Sequence, residues 1–216
     1  MTAIVSITLF APLVGLGAIL LVPRVKVTAI KSLGIGFSVA TFFLSLALYA
    51  SFDAANPGFQ FVQKIPWIGT FDVSYHVGVD GLSLLLILLT TFLTPIAMLS
   101  SWNSVQKRVK EYTIMLLLLE TGMLGVFAAV DLFLFYIFWE AMLIPMYFLI
   151  GIWGGENRIY AAMKFFLYTM FGSLLMLVAI ISLGVFAATQ PLGHFTTDLE
   201  LLYSSSPEGV GCCKQD

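Results

Sequence analysis

Two carboxylic acids occur inside apolar stretches of this sequence, where an ionisable group is costly to place. Glu140 lies near the middle of FLFYIFWEAMLIPMYFLIGIWGG, residues 133–155, and Glu120 interrupts the run MLLLLETGMLGV. A charged carboxylate at the centre of a bilayer costs about 2.5 to 3.5 kcal/mol on insertion scales. Burial raises the proton affinity of such a group and a nearby ammonium lowers it, so the two effects together can hold it near neutrality. These residue types therefore point to proton transfer inside a membrane.

Lys164 is the candidate for the ammonium. It lies in YAAMKFFLYTM and falls on one helical stripe with Tyr160 and Tyr168, at spacings of four. A lysine near a helix end can also extend its ammonium to the lipid headgroups. A buried glutamate can likewise be a neutral, hydrogen-bonded structural group. The first alternative stays open for Lys164, and the second stays open for Glu120 and Glu140. Glu140 lies too deep to reach the headgroups and is the strongest candidate.

The two acids are predicted to lie at the same depth. Glu120 precedes Val130 by ten residues, and Glu140 follows Asp131 by nine. If a tight turn at Val130 and Asp131 joins two helices, both carboxyls lie about 13 to 15 Å below that turn, at about 1.5 Å per residue. Adjacent antiparallel helices would then carry acids at one level of the membrane.

Polar residues share the helix faces of these acids. Thr113 lies seven residues before Glu120, and Tyr136 and Tyr147 lie four before and seven after Glu140. Residues at such spacings are on one face of a helix. We expect these stripes to turn toward other helices, where partners or water can satisfy them.

The elements that must position these residues are membrane-spanning helices. The chain is 60% hydrophobic and only 10% charged, whereas a soluble domain has about 25% charged residues. A span needs about 20 mostly apolar residues. We therefore predict an all-α integral membrane protein with a bundle over residues 1–189, a loop over 51–79 and a polar tail over 190–216. The six predicted spans are 3–22, 30–50, 80–101, 112–130, 132–153 and 159–188.

The charges predict the orientation of this bundle. Basic residues recur on every second connection, as the positive-inside rule requires when the N-terminus is outside. No basic residue precedes the first apolar segment, which favours a retained span over a secretory signal. The basic residues on those connections are Arg24, Lys26, Lys31, Lys107, Arg108, Lys110 and Arg158.

The sequence offers little for a cofactor or a nucleic acid. Cys212 and Cys213 are adjacent in the tail, and His76 and His194 lie far apart in connecting segments. None of these has the spacing of a metal site. The net charge is −2 and the basic residues are scattered, which argues against a nucleic-acid partner. The predicted cofactor content is therefore none, and the predicted surroundings are the lipid bilayer.

Three segments carry a family resemblance: GVDGLSLLLILLTTFLTPIAMLSSW, DLFLFYIFWEAMLIPMYFLIGIWGG and YAAMKFFLYTMFGSLLML. They resemble the chain M family of bacterial respiratory complex I, the proton-pumping NADH:quinone oxidoreductase. The resemblance implies an antiporter-like fourteen-helix fold in the inner membrane and other membrane-arm subunits as partners. It also implies proton translocation coupled to electron transfer from NADH to quinone, with no redox centre and no NADH contact in this chain. Glu140 matches the proton-transfer glutamate of the FWE motif, and Lys164 matches a lysine of helix six.

The chain departs from that family pattern in length. Six spans do not include the family's broken seventh helix and its lysine, and the tail SSSPEGVGCCKQD does not resemble the family continuation, which predicts a truncated fragment. Two other interpretations remain open. One is a subunit of a multi-chain Na⁺/H⁺ antiporter or membrane-bound hydrogenase, and the other is a remnant membrane protein without function.

Overall fold

Six long helices and one β-hairpin make up the structure, which is a computed structural model. It describes residues 3–53, 55–56, 58–68, 73–189 and 195–204. Each predicted span coincides with one helix to within a few residues, and all six are long and apolar enough to cross a membrane. The helices are α1 (Ile4–Leu21), α2 (Val27–Ala50), α3 (Gly81–Ser100), α4 (Val109–Ala128), α5 (Leu132–Trp153) and α6 (Arg158–Thr189).

Two aspartates fix where helices begin. The side chain of Asp80 accepts a hydrogen bond of 2.8 Å from the Ser83 amide and so caps α3. Asp131 caps α5 by accepting from the amides of Phe133 at 2.8 Å and Leu134 at 3.1 Å. Such caps satisfy first-turn donors that have no partner within the helix. The Asp131 cap also makes the turn between α4 and α5 tight, as the depth argument requires.

The prediction of a loop over 51–79 is wrong for residues 60–68 and 73–79. Strands β1 (Gln60–Ile68) and β2 (Val73–Val79) form an antiparallel hairpin in which Lys64 pairs with His76. Six of the seven β2 residues are buried, because the hairpin lies against the ends of α1, α3, α4 and α5. The β-branched and aromatic residues of VSYHVGV favour a strand. We call this end of the bundle the hairpin end, and the opposite end the basic end.

The predicted polar tail also contains regular structure. A short helix, α7 (Leu199–Ser204), follows a bridge between Asp198 and Asp131. This bridge holds the segment against the turn that precedes α5. His194, Cys212 and Cys213 lie outside the described residues.

Helix α4 occupies the middle of the bundle. It packs against α1, α2, α3 and α5, whereas α6 packs mainly on α5. Two apolar clusters form the core, and α4 contributes Leu124 to one and Leu117 to the other. The arrangement makes α4 the most enclosed helix, so any polar side chain on it needs a specific account.

Candidate proton-transfer site

Glu120 is completely buried at the middle of α4. Its exposed fraction is 0%, and it lies between Leu117 and Leu124, which belong to the two separate apolar clusters. Among the residues that the structure describes, neither carboxyl oxygen has a hydrogen-bond partner. A buried polar group is normally hydrogen-bonded to protein or ordered water. The carboxyl therefore interrupts the core at a place where packing alone would favour an apolar residue.

Hydroxyl groups of α2 lie along the helix interface that contains Glu120. A Cβ added to Gly34 would lie 2.3 Å from Cγ2 of Thr113, so α2 and α4 approach closely there. Two turns further along each helix come Thr41 and Glu120, both with 0% exposure. Ser38, between Gly34 and Thr41, is equally buried, and its Oγ has no hydrogen-bond partner among the described residues. The α2–α4 interface therefore contains a polar strip inside the bundle.

We did not predict this polar strip from the sequence, although the spacing of its hydroxyl residues indicates it. Ser38, Thr41 and Ser45 are spaced by three and four, which is one helical face. All three are fully buried, and Ser45 exchanges a hydrogen bond of 2.8 Å with Thr91 of α3. Hydroxyl residues are common in membrane helices, so the pattern stood out less than the two acids.

Glu140 lies half-buried on α5, on the side toward α6. Its Oε1 is buried and has no hydrogen-bond partner among the described residues. Tyr136 lies near both the Glu140 carboxyl and the Ser173 hydroxyl of α6 and interacts electrostatically with Glu140. The predicted stripe of Tyr136 and Glu140 therefore faces a neighbouring helix, and Ser173 adds a polar group that the sequence did not suggest.

Two glycines of α4 set the distance between the helices of the two acids. A Cβ on Gly122 would lie 2.9 Å from Cβ of Met142, and one on Gly125 would lie 2.3 Å from the Phe138 ring. Both α5 residues lie within two positions of Glu140. Small residues let membrane helices approach closely. These contacts therefore fix the position of the α5 backbone from which the Glu140 side chain extends.

Lys164 lies on the side of α6 that faces away from α5. The lysine is exposed, and its Nζ is 5.9 Å from the centre of the Tyr160 ring. Tyr160 and Tyr168 are 70% and 82% exposed. The Lys164 stripe therefore does not turn toward the described helices, and no ion pair joins Glu140 to Lys164 within the described part of the chain.

A second polar cluster lies at the hairpin end. The Asp198 carboxyl accepts from Lys64 Nζ at 2.6 Å and lies 3.0 Å from His76 Nδ1. Asp131, beside it, accepts from the Thr197 hydroxyl at 3.0 Å. Burial alone would raise the pKa of Asp198, but His76 and Lys64 outweigh it and lower that pKa. The cluster is a charged clamp between the hairpin and the segment that follows α6.

The depressed pKa of Asp198 predicts how stability depends on pH. Its contribution to stability is complete above the unfolded pKa of about 3.9, and it is lost as the pH falls toward the folded pKa. Thermal denaturation in detergent should therefore show a lower melting temperature below pH about 4. The decrease should be smaller in Asp198→Asn than in the parent. Asp53→Asn, which removes an exposed carboxylate, should behave as the parent does; equal pH profiles for the parent and Asp198→Asn would contradict the clamp.

Comparisons with known proteins cover nearly the whole chain. Residues 7–126 match a family model described as the amino terminus of NADH-ubiquinone oxidoreductase chain 4. Residues 129–207 match one described as the transmembrane part of NADH:quinone oxidoreductase and the Mrp antiporter. The first match alone takes in more than half of the 216 residues.

Individual proteins give the same picture. NADH-quinone oxidoreductase subunit M of Rhodobacter capsulatus is 50% identical over 196 residues, which is 89% of this chain and 38% of the relative. NADH-ubiquinone oxidoreductase chain 4 of Prototheca wickerhamii is 42% identical over 217 residues, covering 93% and 40%. A chain of respiratory complex I from Thermus thermophilus, solved with bound NADH, superposes with a TM-score of 0.78 at 31% identity, covering 93% and 39%. The chain thus spans about two fifths of the length of the relatives it matches.

Proposed function

Because this chain belongs to the family defined by the amino terminus of NADH-ubiquinone oxidoreductase chain 4, we propose that it forms part of a proton-translocating membrane arm. The complex would be a respiratory NADH:quinone oxidoreductase. The other membrane-arm subunits would be the partners, and NADH and the electron carriers would bind elsewhere in the complex. The membrane would be the bacterial inner membrane, with the N-terminus and the hairpin end on the outer side.

One observation carries the proposal. Two carboxyl groups, Glu120 and Glu140, lie on α4 and α5 about nine or ten residues from the turn that joins these helices, and both have buried oxygens without a hydrogen-bond partner among the described residues. Burial favours the neutral, protonated carboxyl, and a nearby positive charge favours the ionised one. A change in the charge near such a group would therefore load or release its proton.

Glu140 is the residue that we expect to transfer the proton. It is only half-buried, so its carboxyl can exchange with water or with a neighbouring group, whereas Glu120 is enclosed. Tyr136 and Ser173 next to it are hydroxyl groups that can pass a proton on or orient a water molecule. Glu120 would hold a second proton at the same depth, facing the polar strip of α2.

Lys164 would act on the face of α6 that points away from α5. Because its ammonium points away from α5, we propose that it exchanges protons with groups that cover α6 in the complex. It would influence Glu140 through such groups and not by a direct ion pair.

A chimera tests the proposal on the residues of this chain. Residues 1–189 would replace the matching part of subunit M in Rhodobacter capsulatus, to which the chain is 50% identical over 196 residues. NADH oxidation in inverted membrane vesicles should then acidify the vesicle interior. Failure of an assembled chimeric complex to do so would contradict the proposal.

The ion is the point on which the alternative interpretation differs. The family model over residues 129–207 also takes in the Mrp antiporter. If the chain belonged to a sodium-translocating system, the chimera would build a sodium gradient that persists when a protonophore is present. We expect a proton gradient instead, and it should collapse when the protonophore is added.

A further inference from the structure

The basic end of the bundle contains a crevice in which three of the seven lining residues are cationic. Its volume is about 530 Å³, and it lies between the end of α1 and the start of α4. Arg24, Arg108 and Lys110 line it, against the single carboxylate of Glu111. Three positive charges and one negative charge leave a surplus of two, which favours an anion.

Two of these residues have structural partners that keep the crevice in shape. Lys110 Nζ donates to the carbonyls of Leu20 at 2.9 Å and Val22 at 2.8 Å, which ties α4 to the end of α1. Arg24 pairs with Glu111 at 3.2 Å. The Lys110 contacts join the two sides of the opening, whereas the Arg24 side chain is 79% exposed in its pair with Glu111 and adds little to this connection.

Arg108 is the cation that remains available. It is exposed, and no hydrogen bond or ion pair involves its guanidinium within the ranges that the structure describes. Its backbone is in the left-handed region with φ of 52°, which is uncommon for a residue with a side chain. A guanidinium can bind two oxygens of one phosphate at once. Arg108 therefore supplies the contact that an anionic group would make.

Apolar side chains beside the crevice identify the kind of anion. Leu21, the last residue of α1, and Val25, in the connection to α2, are 87% and 91% exposed and lie on either side of Arg24 in the chain. A soluble phosphate would leave these side chains in contact with water, whereas an acyl chain would cover them. Basic pockets between membrane helices bind the headgroups of anionic lipids.

We propose that this crevice binds the phosphate headgroup of an anionic phospholipid in the leaflet at the basic end. Arg108 and Arg24 contact the phosphate, and the acyl chains lie along Leu21 and Val25. This site is separate from the proton-transfer residues, because it lies at the membrane surface and contains neither Glu120 nor Glu140. The experiment that tests it measures lipid binding, so its result does not depend on proton translocation.

Native mass spectrometry of the full 216-residue chain, released from detergent micelles, tests the site. Phosphatidylglycerol, phosphatidylcholine and inorganic phosphate would be added separately. We expect phosphatidylglycerol to be retained in preference to the other two. Arg108→Gln should lower its retention about fivefold, the effect of one basic residue near a membrane surface. Glu111→Gln should raise retention, since it removes a negative charge and releases Arg24 for the phosphate, while Lys110 still ties α4 to the end of α1.

Arg158→Gln is the matched control. Arg158 is an exposed residue of the basic end that donates to the Ile152 carbonyl at 3.1 Å and does not line the crevice. This variant should retain phosphatidylglycerol as the parent does. Equal retention of phosphatidylglycerol and phosphatidylcholine would overturn the proposal, as would equal losses in Arg108→Gln and Arg158→Gln. Displacement of the lipid by inorganic phosphate would show a site for free anions instead.

Discussion

Replacing Glu140 with Gln in the chimeric complex should reduce proton translocation to the level of passive leakage. Glutamine has nearly the same shape and hydrogen-bonding capacity, but it cannot take up or release a proton near neutral pH. Transfer by a positioned acid or base typically contributes roughly 100-fold or more to a rate. The rate of vesicle acidification during NADH oxidation should therefore fall by at least about that factor.

Glu156→Gln provides the control for this substitution. Glu156 is exposed in the turn before α6, so its replacement removes the same charge outside the membrane interior. Its variant should translocate protons at the parent rate. Near-normal acidification by Glu140→Gln would remove Glu140 from the pathway, whatever the family to which the chain belongs.

Replacing Gly125 with Val should destabilise the bundle and also impair translocation. A Cβ at this position would lie 2.3 Å from the Phe138 ring, so α5 must move away from α4. Inserting atoms into a tightly packed interface costs about 1 to 3 kcal/mol, and we expect the upper part of that range. Phe138 lies two residues from Glu140, and a displacement of about 1 Å at a reacting group can cost roughly 100-fold in rate.

Gly172→Val is the comparison for Gly125→Val. A Cβ on Gly172 of α6 has no described atom within 4 Å, so the larger residue has room. Thermal denaturation in detergent should show a clear decrease in melting temperature for Gly125→Val and little change for Gly172→Val. If both variants melted alike, the close approach of α4 and α5 would not be what holds Glu140 in position.

The helices could be predicted from the sequence because the bilayer imposes a length and a composition. The spacing from Val130 and Asp131 predicts equal depths for Glu120 and Glu140, and α4 and α5 do meet in a turn at these two residues. Thr113 and Glu120 were predicted to share a face, and both are buried. These features depend on local periodicity, which a single sequence contains.

The contacts between helices could not be predicted in the same way. The hairpin was predicted as a loop, because its strands are ordered by packing of β2 against the ends of four helices and Pro66 interrupts the strand pattern of β1. Lys164 and the exposed tyrosines beside it formed a stripe on the sequence, but periodicity does not say which neighbour a stripe faces. The clamp of Asp198 with His76 and Lys64 joins residues more than one hundred positions apart, a separation that no local pattern reveals.

The buried polar strip on α2 shows a further reason why the contacts between helices could not be predicted from the sequence. Ser38 and Thr41 are buried on α2, which approaches α4 at Gly34, and α4 carries the buried Glu120 two turns beyond that approach. Gly34 allows that approach. A polar residue in a membrane helix can therefore belong to a functional region because of its neighbour, which the sequence does not specify.

Infrared difference spectroscopy on the chimeric complex tests most directly whether Glu140 changes its protonation. A protonated carboxyl has a carbonyl stretching band that a carboxylate lacks, so a change during NADH oxidation appears as a difference band. We predict such a band in the parent and in Glu156→Gln, and its loss in Glu140→Gln. A carboxyl band that persists unchanged in Glu140→Gln would contradict the assignment of proton transfer to this residue.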